Sequence, residues 1–582
     1  MLKRLLQNRS RLALIVLVAG FVTATVIQMI AIVIKERNHQ LVYDESVSYL
    51  VATNHAGAYR AAKSGGLNDK WVPASAWKDL MRPGPVFGLR GIAKELSETD
   101  YHPPLYFWLL HFWVLVFGVH ASSGLWLNWL LALLTGVCLF YLARETLGDP
   151  LEAALVSTLW ITSTSVVIAN LVSRQYPLFA LLTVLFVWLA VRACARERRL
   201  RWWDYVLFAL AAATGCLTHY HFALVMVGTA LFAVARLVRR DRRRLLATAG
   251  AAVGGVLLAI ALNPWFWNAF RREHAGQAVR ATKALVRLRM KDVEPRLSVF
   301  FGSTDGALRA VLKPVLPTLR RLGGGVVPTG AILILIVAVV FGAFLAWPRT
   351  RRPIARYLKS VDRTGWWMLW FFLWIGGTTV FLYVTGQSPK WGLESRYVSA
   401  VWPWLAFVPV LAARLLKRWG PLVLVVFWAL LVVPTSWAHM VNNQEAIPGD
   451  AAALRQADRV VMDTITRGIL LRMVWEVPDG SQLWVGRMDE VLDKPYGPGG
   501  WFDPLQSGDV YASYAGEKKL KKQRAQVENM LFLAGFTLLP SKGGVPGVSG
   551  TKVDVLGPQG PPIRMPEGSS SPSPQTSPSP SD

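Results

Sequence analysis

Apolar runs of about twenty residues recur along this chain, and no other feature constrains it as much. The first, residues 12–34, is almost wholly apolar. At 1.5 Å per residue it is long enough to cross a hydrocarbon core of roughly 30 Å. Further runs lie at approximately 124–143, 151–171, 175–191, 203–219, 222–238, 246–266, 329–347, 366–384, 397–415 and 420–437. Charged residues make up 17% of the chain, against about a quarter in ordinary soluble domains. The pattern predicts an all-α polytopic membrane protein of about eleven transmembrane helices.

The net charge of +27 would fit a nucleic-acid binder, but the basic residues cluster between the apolar runs. That is the signature of cytoplasmic loops and anionic-lipid contact, and it argues against nucleic acid. The Arg-rich stretches 192–201, 236–244 and 349–363 are therefore expected on the cytoplasmic side. Counting runs between these anchors puts residues 173–176, 218–221 and 390–397 on the opposite, outer face. The segment 104–118 must then begin and end outside. At about 15 residues it is short for a span, so a re-entrant or interfacial helix is expected there. The N-terminus is predicted inside and the C-terminus outside, as expected for a multi-pass protein of the cell (inner or plasma) membrane.

Lys3, Arg4, Arg9 and Arg11 precede the first run, but its apolar core exceeds that of a cleaved signal peptide; a retained anchor is expected. Cys138, Cys194 and Cys216 lie in or beside apolar runs, which gives no disulfide framework and no cysteine-based zinc site.

The polar segments complete the domain plan. Residues 1–437 form the transmembrane domain. Within it, residues 35–103 are a first external loop of short amphipathic helices, and 269–328 a long external loop with twelve Lys/Arg and four Asp/Glu. Residues 438–565, with strand-like Leu483-Trp484-Val485 and helix-like Lys518 to Phe536, are expected to be a small external α/β or α+β domain. Residues 566–582 are a Ser/Pro-rich disordered tail.

The charge argument collects five polar clusters on the outer face: Asp44-Glu45, His102, Arg174 with Tyr176, His219-Tyr220-His221, and Arg396-Tyr397. Each sits at a span end, where Arg, Tyr and His ordinarily anchor a helix at the interface. Anchoring explains any one of them more easily than all five together, since acid, base and cation are all represented. An arginine at membrane depth costs a few kcal/mol unless it is paired, so Arg174 and Arg396 each need a partner.

In order and spacing these residues resemble the GT-C membrane glycosyltransferases, in the bacterial protein-O-mannosyltransferase and aminoarabinose-transferase-like group. The resemblance spans roughly residues 12–415. It rests on Asp44-Glu45, His102-Pro103-Pro104-Leu105-Tyr106, Ser173-Arg174-Gln175-Tyr176-Pro177-Leu178, Thr218-His219-Tyr220, and Arg396-Tyr397 followed by Trp402-Pro403. One departure stands out: the group often has Glu two residues before the arginine of the third motif, where this chain has Val172. The resemblance implies a polyprenyl-phosphate sugar donor and transfer at the outer face to a glycan, lipid or protein acceptor.

The residue types fit that chemistry. No Walker-type loop or dinucleotide glycine fingerprint is present, so a soluble nucleotide donor has no cradle. A lipid-phosphate donor needs a base for the acceptor hydroxyl and cations for the departing phosphate. Asp44 is the expected base, with Glu45 as the alternative. Arg174 and Arg396 are expected to neutralise the phosphate, Tyr176 and Tyr397 to donate hydrogen bonds, and His102, His219 and Tyr220 to bind substrate. No cofactor is predicted. A divalent metal held by His102 and Asp44 is conceivable, but the spacing supplies no coordination set. The rival reading is a transporter of a lipid-linked or small solute; against it, the chain has no internal hydropathy repeat and no matched pair of Gly/Pro-broken spans. A lipid-binding structural protein is a third reading, in which the positive charge serves anionic headgroups.

Overall fold

The structure, a computed structural model, describes residues 9–37, 41–84, 88–99, 102–195, 200–269, 271, 363–386, 399–437, 452–464, 467–487, 491–492, 500–501, 504–514, 518–533, 535–540 and 551–558. The chain divides into two compact units. One takes residues 1–62 and 77–448; the other joins residues 63–76 to 449–582.

The first unit is helical. Its principal helices are α1 (Arg9–Arg37), α2 (Tyr43–Ala52), α3 (Leu89–Thr99), α4 (Leu105–Phe117), α5 (Ser123–Leu147), α6 (Pro150–Ile161), α7 (Thr164–Asn170), α8 (Tyr176–Cys194), α9 (Trp202–Cys216), α10 (Phe222–Leu237), α11 (Arg242–Leu262), α12 (Arg363–Gly386), α13 (Phe407–Ala413) and α14 (Gly420–Phe427). Among the described residues, five helical segments are long and apolar enough to cross a membrane: α1, α5, α8, α11 and Gly420–Trp437. Helices α6 and α7, bent 51° apart, would make a sixth. The chain is an integral membrane protein on this count.

Eleven spans do not follow from helix length. Helices α9 and α10 run only 15 and 16 residues, and the run 397–415 breaks into Trp402–Leu405 and α13. The run 329–347, most of the loop 269–328 and the tail 566–582 lie outside the described residues. Helix α4 has 13 residues, about 20 Å of helix.

Local chemistry explains where these helices start and pack. Gly148, at φ 76°, ends α5 in a left-handed turn. One residue later Asp149 caps α6, its Oδ1 accepting from the backbone N–H of Leu151 at 2.8 Å, with Pro150 in the first turn. One side of α1 exposes Leu14, Ile15, Val18, Val22 and Val26, a surface suited to lipid. The other packs on α6, where Gly20 leaves room for Thr158, whose Oγ1 donates to the carbonyl of Val16 at 3.2 Å. Small residues at such crossings let helix backbones approach where there is no water to drive association. Helix α8 is the most buried of the five long segments and packs against α5, α9 and α10.

The break between α6 and α7 is chemically closed. Ser436 Oγ donates to the Thr162 carbonyl at 2.7 Å and pairs with Thr164 Oγ1 at 3.1 Å, while Trp428 Nε1 donates to Thr162 Oγ1 at 3.0 Å. Side chains that re-satisfy freed backbone groups are what permits a bend inside an apolar bundle. The bend turns α7 aside, so that the chain reaches α8 through the short turn Leu171–Gln175.

The second unit is built on a six-stranded mixed sheet. Its strands are β1 (Trp71–Pro73), β2 (Arg459–Met462), β3 (Gln482–Val485), β4 (Val510–Tyr514), β5 (Phe536–Pro540) and β6 (Thr551–Pro558), in the order β1-β3-β2-β4-β6-β5. Strands β2, β3 and β4 are parallel; β1 runs antiparallel to β3, and β6 antiparallel to both β4 and β5. Helix α15 (Arg467–Glu476) makes the crossover from β2 to β3 that a parallel pair requires. Helix α16 (Lys518–Leu533) sets Val527 and Leu531 into a core with Val461, Trp484, Trp501, Tyr511 and Leu556. Residues 35–103 contain the helices expected there, with one exception. Trp71–Pro73 is a strand of this sheet. Three residues carry no periodicity, and the edge of β3 is what gives them a ladder to join.

Candidate active site

The acidic motif opens α2, and its two carboxylates have different fates. Adjacent residues on a helix point about 100° apart. Glu45 turns inward and is fully buried. Its Oε1 lies 2.6 Å from Lys35 Nζ and accepts from the backbone N–H and the hydroxyl of Ser173, at 3.1 and 3.2 Å. Its Oε2 accepts from the backbone N–H of Val42 at 3.0 Å, the Glu half of a capping box, so Glu45 caps the start of its own helix. Asp44 stays partly open, its side chain 20% exposed, and Arg174 Nη2 donates to its Oδ1 at 2.8 Å. Arg174 itself is 7% exposed at the side chain. The partner that membrane depth demands of Arg174 is therefore Asp44.

The turn carrying Arg174 is tied at each residue before it. Lys35 Nζ donates to the Leu171 carbonyl at 2.7 Å, and Asn128 Nδ2 to the Val172 carbonyl at 2.7 Å. Ser173 is held by Glu45, and its Oγ also lies 3.2 Å from Tyr49 Oη. Tyr106 Oη donates to Asn128 Oδ1 at 3.0 Å, and the backbone N–H of Gly124 donates to Tyr49 Oη at 2.9 Å. Burial, and then the charge of Glu45, push the Tyr49 phenol well above its ordinary range, so it remains a neutral hydrogen-bonding group. His111 Nδ1 sits 2.6 Å from the Ala52 carbonyl and pins the far end of α2 to α4.

A second cluster gathers the histidines. The ring of His219 stacks on Phe179 at 4.7 Å, lies 4.8 Å from His221 and 6.3 Å from Tyr176. Its Nδ1 accepts from the backbone N–H of His221 at 3.1 Å. Desolvation by the surrounding rings, with His221 and His102 close by, holds its pKa well below the usual 6.5. His219 is thus a neutral imidazole at pH 7 and serves as acceptor or stacking surface; it brings no charge to a phosphate. The start of α4, just after His102, is joined to this region by the hydrogen bond from Leu105 N to the Leu217 carbonyl, 2.9 Å. Tyr220 turns edge-on to Phe266.

Of the residues singled out in the sequence, the structure brings Asp44, Glu45 and Arg174 into one hydrogen-bonded group, and His102, Tyr176 and His219 into a neighbouring aromatic one. Arg396 and Tyr397 lie outside the described residues. Among the described residues no group of three or more His, Cys, Asp or Glu stands close enough to hold a metal ion. Sequence reasoning missed Lys35, Tyr49 and Asn128, and gave Tyr106 no role although it named it in the His102 motif. The available signal was weak: a lone lysine ending an apolar helix reads as interfacial, and Asn128 as a polar residue within a span.

Residues 101–267, which include Arg174 and the histidine cluster, match the family described as dolichyl-phosphate-mannose-protein mannosyltransferase. By that match the chain is a glycosyltransferase. It resembles the GT-C membrane enzymes that its motifs indicated. Two solved structures are similar to it: ArnT from Cupriavidus metallidurans bound to undecaprenyl phosphate, and the same protein in the apo state. The first is 12% identical, covering 92% of this chain and 97% of that one, at a TM-score of 0.47. The second is 13% identical, covering 81% and 93%, at 0.42. No curated protein matches the chain.

Proposed function

We propose that this glycosyltransferase moves a sugar from a polyprenyl-phosphate carrier to a hydroxyl group of a glycolipid, polysaccharide or protein at the outer face of the cell membrane, with Asp44 as general base. The observation that carries the reading is the 2.8 Å pairing of Asp44 with Arg174 on a turn held at Leu171, Val172 and Ser173. The matched family is named for a sugar carried on a polyprenyl phosphate, and the absence of any nucleotide-binding fingerprint in the sequence fits such a donor.

The reaction breaks the bond between the anomeric carbon and the phosphate oxygen and forms one to the acceptor oxygen. The acceptor's proton passes to an Asp44 carboxylate oxygen, and the electron pair leaves on the polyprenyl phosphate. A guanidinium has five donors in a planar fork. Arg174 can hold Asp44 with one of them and meet the phosphate with others, setting base and leaving group on opposite sides of the sugar carbon. Negative charge that develops on the leaving phosphate is then met by a fixed cation. Arg396, with Tyr397, is the second phosphate contact in this reading. The neutral His219, with His102, Tyr176 and Tyr220, offers hydrogen bonds and stacking surface to the sugar or acceptor.

The test uses purified protein in nanodiscs with a cell-envelope extract as the source of acceptor and polyprenyl-phosphate-linked mannose, arabinose and glucose as donors, reading release of polyprenyl phosphate. One donor should be turned over, and Asp44→Asn should lower that turnover about 10²–10⁴-fold while the protein stays folded. Wild-type turnover in Asp44→Asn would remove the base assignment. Failure to turn over or bind any polyprenyl-phosphate sugar would remove the donor class.

A further inference from the structure

We propose that Lys35, at the end of α1, is a positioning residue for the transfer reaction. Through Glu45 it fixes the turn that sets Arg174 opposite Asp44. The proposal rests on the reading of Asp44 as the base, and it assigns Glu45 a role other than proton transfer.

The geometry argues this from the acceptor side first. An ionised carboxylate offers about four lone-pair sites. Glu45 is in contact with four donors: Lys35 Nζ, the Ser173 N–H, the Ser173 hydroxyl and the Val42 N–H. Three of these donors converge on Oε1 and one on Oε2, and the side chain has no exposed surface, so an acceptor hydroxyl cannot reach it to deliver a proton. Lys35 is equally committed. Its ammonium is buried and reaches both Glu45 and the Leu171 carbonyl, at 2.6 and 2.7 Å. One ion pair therefore joins three elements: the end of α1, the first turn of α2, and the turn leading to Arg174.

Buried ion pairs seldom add net stability over an apolar pair of the same size, and their best-attested use is to specify register. The register at stake is visible here. Asp44 and Glu45 are neighbours on one helix, and Ser173 and Arg174 are neighbours on one turn. Locking Glu45 to Ser173 fixes where Asp44 and Arg174 meet. Without Lys35 the buried Glu45 carboxylate is uncompensated, and it draws in water or a proton and releases Ser173. The expected consequence is a misplaced Arg174, with the fold retained.

The variants Lys35→Met, Lys35→Arg and Lys35→Met/Glu45→Gln, with Asp44→Asn alongside, are assayed in nanodiscs for turnover of the donor identified above, for donor KM and for melting temperature. Lys35→Met is expected to lower kcat about 10- to 100-fold, the scale of a misplacement near 1 Å, with any rise in donor KM smaller than the fall in kcat. Lys35→Arg, whose guanidinium can serve both Glu45 and the Leu171 carbonyl, is expected to stay within about threefold of wild type. The charge-balanced double variant should melt near wild type and still be slow. The proposal is overturned if Lys35→Met keeps kcat within twofold, if its loss lies wholly in KM, or if Lys35→Arg is as slow as Lys35→Met. Should Lys35→Met not fold, Ser173→Ala removes one tie without touching charge; a kcat loss of at least threefold supports the proposal and an unchanged kcat overturns it. An inactive Asp44→Asn beside an active Lys35→Met discards the positioning role alone. An active Asp44→Asn discards the base reading instead.

Discussion

Gly124, in the first turn of α5, offers a sharp test of how tightly the Arg174 turn must be held. A Cβ built there would overlap Ser173 Oγ and stand 2.5 Å from Ser173 Cβ. Carbon atoms in van der Waals contact sit about 3.5–4.0 Å apart, so Gly124→Ala has to move the two backbones apart by about 1 Å or more. Neither side yields freely. The Gly124 N–H is bonded to Tyr49 Oη, and Ser173 to Glu45. Overpacking of this kind costs about 1–3 kcal/mol, and replacing a helical glycine returns at most about 1 kcal/mol. The net loss of stability is then about 0–2 kcal/mol, a small fall in melting temperature. Arg174 lies one residue beyond the displaced Ser173, and a misplacement near 1 Å in a positioned catalyst costs about 10²-fold in rate, roughly 2.7 kcal/mol of barrier. Gly124→Ala should therefore lose about a hundredfold in polyprenyl-phosphate release while remaining folded. Gly250→Ala, on α11 with no atom within 4 Å of the new methyl group, is the matched control and should stay within twofold of wild type. Wild-type turnover in Gly124→Ala would refute the claim that the turn's position limits catalysis.

Three further expectations follow from other parts of the molecule. Arg174→Lys keeps the charge but loses the planar fork, so donor affinity should fall by about 1.5–3 kcal/mol per lost charge-assisted contact; unchanged donor titration and turnover would reduce Arg174 to an interfacial anchor. Because the folded-state pKa of His219 lies below 6.5, the folded protein binds fewer protons than the unfolded chain as pH falls. Its contribution is present above about pH 6.5 and is lost on acidification toward the lower folded value. The fall in melting temperature from pH 7.5 to 5.5 should thus shrink in His219→Asn, and an equal fall would contradict the assignment. In the second unit, Pro73 and Gln482 face each other across β1 and β3, at a non-hydrogen-bonded position where Cβ atoms approach most closely. Pro73→Cys/Gln482→Cys should therefore form a disulfide on oxidation, seen as a gel-mobility shift reversed by reductant; no shift would count against β1 as an edge strand of this sheet.

The helices, and the residue types at their ends, were readable from the chain alone because membrane burial and capping are local rules. The apolar run 12–34 became α1, the Gly148-Asp149-Pro150 sequence stopped one helix and started the next, and Asp44 and Arg174 were recognisable as an acid and a cation needing partners. The span count was less legible. Apolar runs at 203–219 and 397–415 do not distinguish a full crossing from a short or broken helix, and the 51° bend between α6 and α7 depends on Ser436 and Trp428, far along the chain. Strand β1 was hidden for the same reason, since its ladder partner lies some four hundred residues away.

Which carboxylate meets Arg174 could not be read from the sequence, where Asp44 and Glu45 stand side by side. Tertiary structure decided it through the rotation of α2. That rotation is set by Glu45 capping its own helix and pairing with Lys35, and by His111 holding the other end at Ala52. Arg174 called for a partner, and the fold supplies Asp44 from another helix. Hydropathy and motif order depend on side chains one at a time. The pairing of a base with its cation depends on the direction in which two helices point, and only packing fixes that.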